Sequence, residues 1–306
     1  MKVSIILIIV LAISIQLSAG NITFVKEGAT GNGSSWENAS GDLQSALQAA
    51  MKGTQIWVAE GIYFPADCNK CNDRARGIMF TVNDGVALYG GFAGTEDRLI
   101  QRKWKQHPTT LSGNIGRADN LDNSFSVIYT RNVSKSTLVD GFLIADGNAD
   151  GIAVERDFTR AGAGWYNDGE NGVSNPTIRN CIFMYNQASE GGAIFNNGYE
   201  GVAMPNIKNC TFIGNLAATS GGAIFNYTKN RKRVVVFTNC KFVSNEAKIG
   251  GGVFSMGRAD LVNNQLEFCT FLNNKAQAGQ DWHVDNGGAP STELRKQVEV
   301  GAGTNM

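Results

Sequence analysis

Three aspartates, Asp140, Asp146 and Asp150, fall within the stretch VDGFLIADGNADG, and Arg156 and Arg160 follow shortly after. Carboxylates this close could act as an acid and base pair flanking a bond to be hydrolysed. They could equally supply a base and hold Ca2+. A blander reading competes, because Asp146 and Asp150 sit in Gly-rich turns, where Asp is favoured for backbone reasons. Other catalytic chemistries have less to work with. His107 and His283 are the only histidines, so a histidine-based triad has few candidates, and no GxSxG elbow or GxxxxGK[ST] loop occurs. His107, just before Pro108 in an irregular loop, reads as solvated.

Cysteine is the other reactive residue type, and its spacing leads from chemistry to architecture. Cys181, Cys210, Cys240 and Cys269 are 29, 30 and 29 residues apart, each two residues before a Phe. They belong to one sentence written four times: NCIFMYNQA, NCTFIGNLA, NCKFVSNEA and a frayed FCTFLNNKA. A fixed period of this size marks stacked units that cannot bury their own apolar face alone. The four cysteines are therefore expected to be a ladder of small buried thiols rather than a disulfide framework. Cys68 and Cys71, in DCNKCNDR, stand outside the repeat. Two thiols are half of a four-ligand zinc site, and a local disulfide or two loop thiols is the favoured reading, so the expectation for metal is none.

The repeat carries a second line, GAGWYN, GGAIFN, GGAIFN and GGGVFS, which places Asn167, Asn196 and Asn226 in register. Each unit thus holds a Gly-rich strand, a variable loop, a second strand and the NCxFxxN strand. Cys181 and Phe183 share the parity of two inward residues. Ile178, Ile207, Phe237 and Leu266 precede each cysteine by three, which breaks that parity and calls for a bend at Asn180, Asn209 and Asn239. Asn tolerates left-handed backbone geometry, and stacked amides can bond to one another along the axis. The series Asn186, Asn215, Asn245 and Asn274 invites the same account. All these asparagines are expected to be structural.

Upstream, Lys2, the apolar run Val3 to Leu17 and Ser18-Ala19-Gly20 read as a signal peptide over residues 1–20. The run is shorter than the roughly 20 residues needed to span a bilayer. No transmembrane segment is expected after cleavage. Residues 21–55 read as an N-terminal cap, with a helix opened by Ser40 and Asp42 whose stripe is Leu43, Ala46, Leu47 and Ala50. A strand is expected from Ile56 to Phe64, and strands with Gly turns between Phe80 and Phe92. One continuous domain over 56–283 follows, with clear repeats from 162 to 276. Residues 284–306 form a tail without a required fold, too short for a translocating β-barrel. Lys plus Arg and Asp plus Glu balance at 27 each, which offers no global field for nucleic acid. The basic run Lys229 to Arg233 reads as a solvated turn.

The pairing of FxxN (FMYN, FIGN, FVSN, FLNN) with GGA[ILV] resembles the repeat of chlamydial polymorphic outer-membrane proteins, over roughly Gly162 to Ala276. Related repeats occur in exported bacterial proteins of the pectin-lyase-like class. The resemblance implies an all-β fold, a single right-handed parallel β-helix with a short N-terminal capping helix. The handedness also agrees with the general preference for right-handed crossovers. It further implies a secreted or cell-surface setting, outer-membrane associated in a bacterium, and a role in adhesion. Enzymes on this fold commonly cut acidic polysaccharides, so a lyase or hydrolase using Asp140, Asp146 or Asp150 is the alternative, with Ca2+ confined to it and no other cofactor. A structural spacer is the third reading. For binding to a glycan or a host or cell-surface protein, the candidate residues are Trp165, Tyr166, Tyr185, Tyr199, Tyr227 and Trp282, whose rings can stack on sugars or enter protein pockets.

Overall fold

The computed structural model describes residues 22–66, 75–116, 119–229, 233–257 and 262–285. The expected signal segment, Cys68 and Cys71, residues 230–232 of the basic run and nearly all of the tail lie outside them. A representative coil shows why the repeat folds as it does. The Gly-rich line forms one strand, Trp165–Asp168. A loop leads to Thr177–Arg179 and, after a bend, to Ile182–Met184. Each strand pairs in parallel with its counterpart one period on: Asn167 opposite Asn196, Ile178 opposite Ile207, Phe183 opposite Phe212. Stacking these coils gives three long parallel sheets of eight, seven and seven strands. The first runs from Ile22–Val25 to Val262–Glu267, the second from Gly61–Tyr63 to Thr270–Leu272, and the third from Phe80–Thr81 to Trp282–Asp285. The fold is a parallel β-helix.

The expected bend is present. Asn180, Asn209 and Asn239 have φ of 53°, 53° and 52°, so the strand turns a corner there and both Ile178 and Cys181 point inward. The second asparagine series differs from expectation. The left-handed residue is the one before it, Tyr185, Gly214, Ser244 or Asn273. That turn resets the alternation, so Asn186, Asn215, Asn245 and Asn274 face the interior and are all but inaccessible.

Inside, residues of the same type lie over one another. The rings of Phe183, Phe212, Phe242 and Phe271 stack at 5.1, 4.9 and 4.7 Å, nearly parallel. Burying each such ring contributes roughly 1.5–3 kcal/mol. Cys181, Cys210, Cys240 and Cys269 are buried free thiols alongside. Two amide ladders run along the repeat part of this core. Asn186, Asn215 and Asn245 each donate from Nδ2 to Oδ1 of the next member, at 3.1, 2.9 and 3.0 Å. Asn167 and Asn196 do the same on the third sheet, at 2.9 and 2.8 Å. Satisfied in this way, buried amides cost little, whereas an orphaned one would be expensive.

The helix forms at Leu43–Ala49, with Asp42 as the N-cap accepting from Ser45 N at 3.0 Å. Its buried residues Leu43, Ala46 and Leu47 close the N-terminal end of the core, as the apolar stripe requires. The expected strand from Ile56 is two strands, Gln55–Ala59 and Gly61–Tyr63. Gly61, at φ 144°, makes the corner between the first and second sheets. Among the described residues no helix is long and apolar enough to cross a membrane.

Candidate functional site

The aperiodic stretch between the strands Ala87–Phe92 and Thr109–Ser112 builds one wall of a groove on a long face. It leaves the coil at Gly91, where an added Cβ would sit 2.3 Å from Trp104 Cα, so only glycine lets the excursion fold back so closely. Glu96 pins its start by accepting from the backbone N–H groups of Ala93, Gly94 and Thr95 at 2.8, 3.1 and 3.0 Å. Arg102 pins its end, donating to Gly90 O and Asp140 O at 2.9 and 2.8 Å. His107, expected to be free in solvent, approaches Glu60 Oε2 at 2.9 Å through Nδ1. The result is a wall carrying Trp104 and Lys105 beside the outer face of the second sheet.

Between this wall and the sheet lies a groove of about 630 Å³. Its floor is the outward row Leu143, Ile182, Thr211 and Lys241, one residue per coil. Its rim is the exposed amide row Asn180, Asn209 and Asn239. Asn239 donates to Asn209 at 2.9 Å and Asn209 to Asn180 at 3.3 Å, so each amide is fixed in orientation along the axis. Two lysines and no carboxylate or histidine line the groove among the described residues.

The three aspartates are held in separate contacts. Asp140 is fully buried and clamped by Arg102 at 2.9 Å, Arg179 at 2.5 Å and Asn180 at 2.8 Å. Asp146, at φ 62°, accepts from the Ser112 hydroxyl at 2.9 Å. Asp150 pairs with Arg76. Each carboxylate has its own set of partners, and none lines the groove. Arg156 lies over the Tyr227 ring at 4.4 Å, and Arg160 donates to Ala153 O at 3.2 Å, so neither arginine serves them.

The aromatic candidates divide by strand parity. Trp165 is a correction: it is fully buried in the core and donates from Nε1 to Thr130 at 2.8 Å. Tyr166 is another, since it is 5% exposed in a second aromatic stack outside the third sheet, with Tyr129, Phe195, Phe225 and Phe254. Loop residues Phe158 and Ala161 pack against that stack. Trp282 packs edge-on against Phe271 at 5.8 Å and helps to close the last coil. Tyr199 and Tyr227 do reach the surface, stacked at 6.3 Å. A cation lies over each ring, Lys229 over Tyr199 at 4.4 Å and Arg156 over Tyr227, as Lys105 lies over Trp104 at 5.2 Å. Tyr185 is 61% exposed, with its ring against Gly214. The residue that sequence reasoning missed is Trp104.

Comparison with known proteins bears on the repeat. Residues 209–227 match the Chlamydia polymorphic membrane protein repeat. The matched span runs from the bend asparagine Asn209 to Tyr227 and contains one FxxN and one GGAI half. No curated protein matches the chain. Among solved structures, the chain is similar to a pectin methylesterase from Aspergillus niger at 12% identity, with a TM-score of 0.29, over 94% of this chain and 91% of that one.

Proposed function

We propose that this protein is an exported or surface-located bacterial β-helix that binds an extended acidic glycan along the second-sheet groove, without cutting it. The single observation that carries this reading is the groove lining: Trp104 on the wall, Lys105 and Lys241 at its sides, a row of oriented amides and, among the described residues, no carboxylate. Aromatic rings stack on sugar faces, ammonium groups neutralise acidic substituents, and amides spaced one rung apart, about 4.8 Å, read a polymer repeatedly. The surface setting draws support from the Chlamydia polymorphic membrane protein repeat and from the apolar leader expected at residues 1–20. Cleavage lacks support, because the candidate carboxylates are held in separate structural contacts away from the groove.

Presenting the protein to an array of neutral and acidic polysaccharides, with product analysis in parallel, tests the proposal. Retention on acidic glycans with no new reducing ends or unsaturated products is expected. An empty array on folded protein would favour a structural spacer, and products that vanish in Asp146→Ala would establish the lyase reading instead.

A further inference from the structure

The amide row at the rim of the groove does not end as it begins. Asn180, Asn209 and Asn239 hold one corner of three successive coils. The same corner of the next coil is held by Phe268, since Lys241 pairs in register with Thr270 and Asn239 N donates to Glu267 O at 2.8 Å. Phe268 keeps the left-handed backbone of the row, with φ 54° against 53°, 53° and 52° for the three asparagines. Asparagine enters that region readily, whereas a bulky ring there is an outlier. The ring does not enter the core in return. Phe268 is 65% exposed and, among the described residues, joins none of the apolar clusters. Tyr185, the other aromatic residue at a left-handed corner of this sheet, has Gly214 against its ring and stands at the opposite edge, outside the groove.

Strained residues that packing does not require gather at ligand sites. The position of the Phe268 ring says which ligand. Trp104 marks the other end of the groove, its Cβ lying 3.1 Å from where a Cβ on Gly141 would stand. From the Gly141 rung the coils run through Asn180, Asn209 and Asn239 to Phe268. Those four steps of about 4.8 Å span about 19 Å. One aromatic ring thus stands at each end of the groove, on the line that an extended glycan would follow.

We propose that Phe268 is the distal stacking platform of the glycan site, holding the sugar one rung beyond Lys241 against its ring. The inference rests on the glycan reading above. It adds to that reading a minimum ligand length and a change of chemistry along the groove. The floor of the last rung is Thr270, which pairs with Lys241 and carries no charge, so the terminal sugar is held by its apolar face rather than by an ammonium group.

Phe268→Asn tests it, because it writes the asparagine of the other coils back into the corner and removes only the ring. Wild type, Phe268→Asn and Phe268→Tyr are titrated by calorimetry with length series of oligoglucuronate and oligomannuronate, and melted in parallel. For oligomers that reach past Lys241, Phe268→Asn should bind about tenfold more weakly and Phe268→Tyr as wild type does. For shorter oligomers all three should bind alike. The Tm of Phe268→Asn should equal or exceed that of wild type. Equal affinity of wild type and Phe268→Asn for the long oligomers would overturn the proposal and leave glycan binding in the groove intact. Weaker binding of Phe268→Asn at every length, or a Tm clearly below wild type, would overturn it as well, as the mark of a structural role. If wild type binds neither series at any length, the glycan reading fails and this proposal fails with it.

Discussion

Asn180 Nδ2 donates to Asp140 Oδ1 at 2.8 Å, so the exposed amide row that edges the groove ends on a buried carboxylate. The same carboxylate holds Arg102 at the end of the groove wall and Arg179 on the first sheet. One of the three candidate carboxylates therefore ties the two sides of the groove together. Arg102 is 9% exposed in its side chain, and Asp140→Ala leaves that guanidinium without its partner. The expected loss is about 3–5 kcal/mol of unfolding free energy, measured by chemical denaturation.

The two kinds of asparagine row should respond very differently. Asn215 lies inside, donating to Phe183 O at 3.0 Å and to Asn245 Oδ1 at 2.9 Å while accepting from Asn186. Asn215→Ala orphans several buried groups at once and should cost about 3 kcal/mol or more, since each orphan costs about 1–3 kcal/mol. Asn209→Gly preserves the left-handed corner and breaks only exposed bonds, so it should cost less than about 1 kcal/mol. Equal costs in denaturant melts would contradict this assignment.

Burial pushes the Cys210 thiol well above its ordinary range, and bonding with Cys269 together with burial does the same for Cys240. The bond with Cys240 lowers Cys269 instead, but all four thiols are inaccessible, and a buried thiol that no reagent reaches is inert. In a Cys68→Ser, Cys71→Ser background, a chromogenic disulfide reagent at pH 8 should find no thiol in the folded protein and four after denaturation. Loss of the four under non-reducing denaturation would mean that the ladder is oxidised.

Burial also raises Glu190, with the Arg156 charge pulling the other way. Its folded state then holds a proton more tightly than its unfolded state, so folding is favoured most below the ordinary value of 4.5. That advantage is lost as pH rises from there through the folded value. Glu190→Gln should raise Tm at pH 7 and leave it nearly unchanged at pH 4. A variant that melts lower at pH 7 would contradict the assignment.

The stacked architecture was legible because identical residues recur at one period: Phe183, Phe212, Phe242 and Phe271 can only lie over one another if the coils do. The corner at Asn180 followed from a break in parity. The inward turn of Asn186 did not, because its cause is the left-handed backbone at Tyr185, a residue type that seldom adopts it. Alignment of the copies would have placed Trp165 in the core, since it stacks in register with Ile194, Ile224 and Val253 of the following coils. The same alignment puts Tyr166 with Phe195, Phe225 and Phe254. Trp104 was hidden for a different reason. It sits in a single aperiodic excursion, packed closely against Gly91 and Gly141 while Arg102 ties that excursion to Asp140, which no local pattern encodes.

The most direct measurement is a calorimetric titration of wild type and Trp104→Ala with a length series of one acidic oligosaccharide. Affinity should climb with length until the chain spans the rungs from Leu143 to Lys241 and reaches Phe268, then level off. Trp104→Ala should bind about tenfold more weakly, a difference of about 1.4 kcal/mol. Affinity that ignores both chain length and Trp104 would contradict binding along this groove.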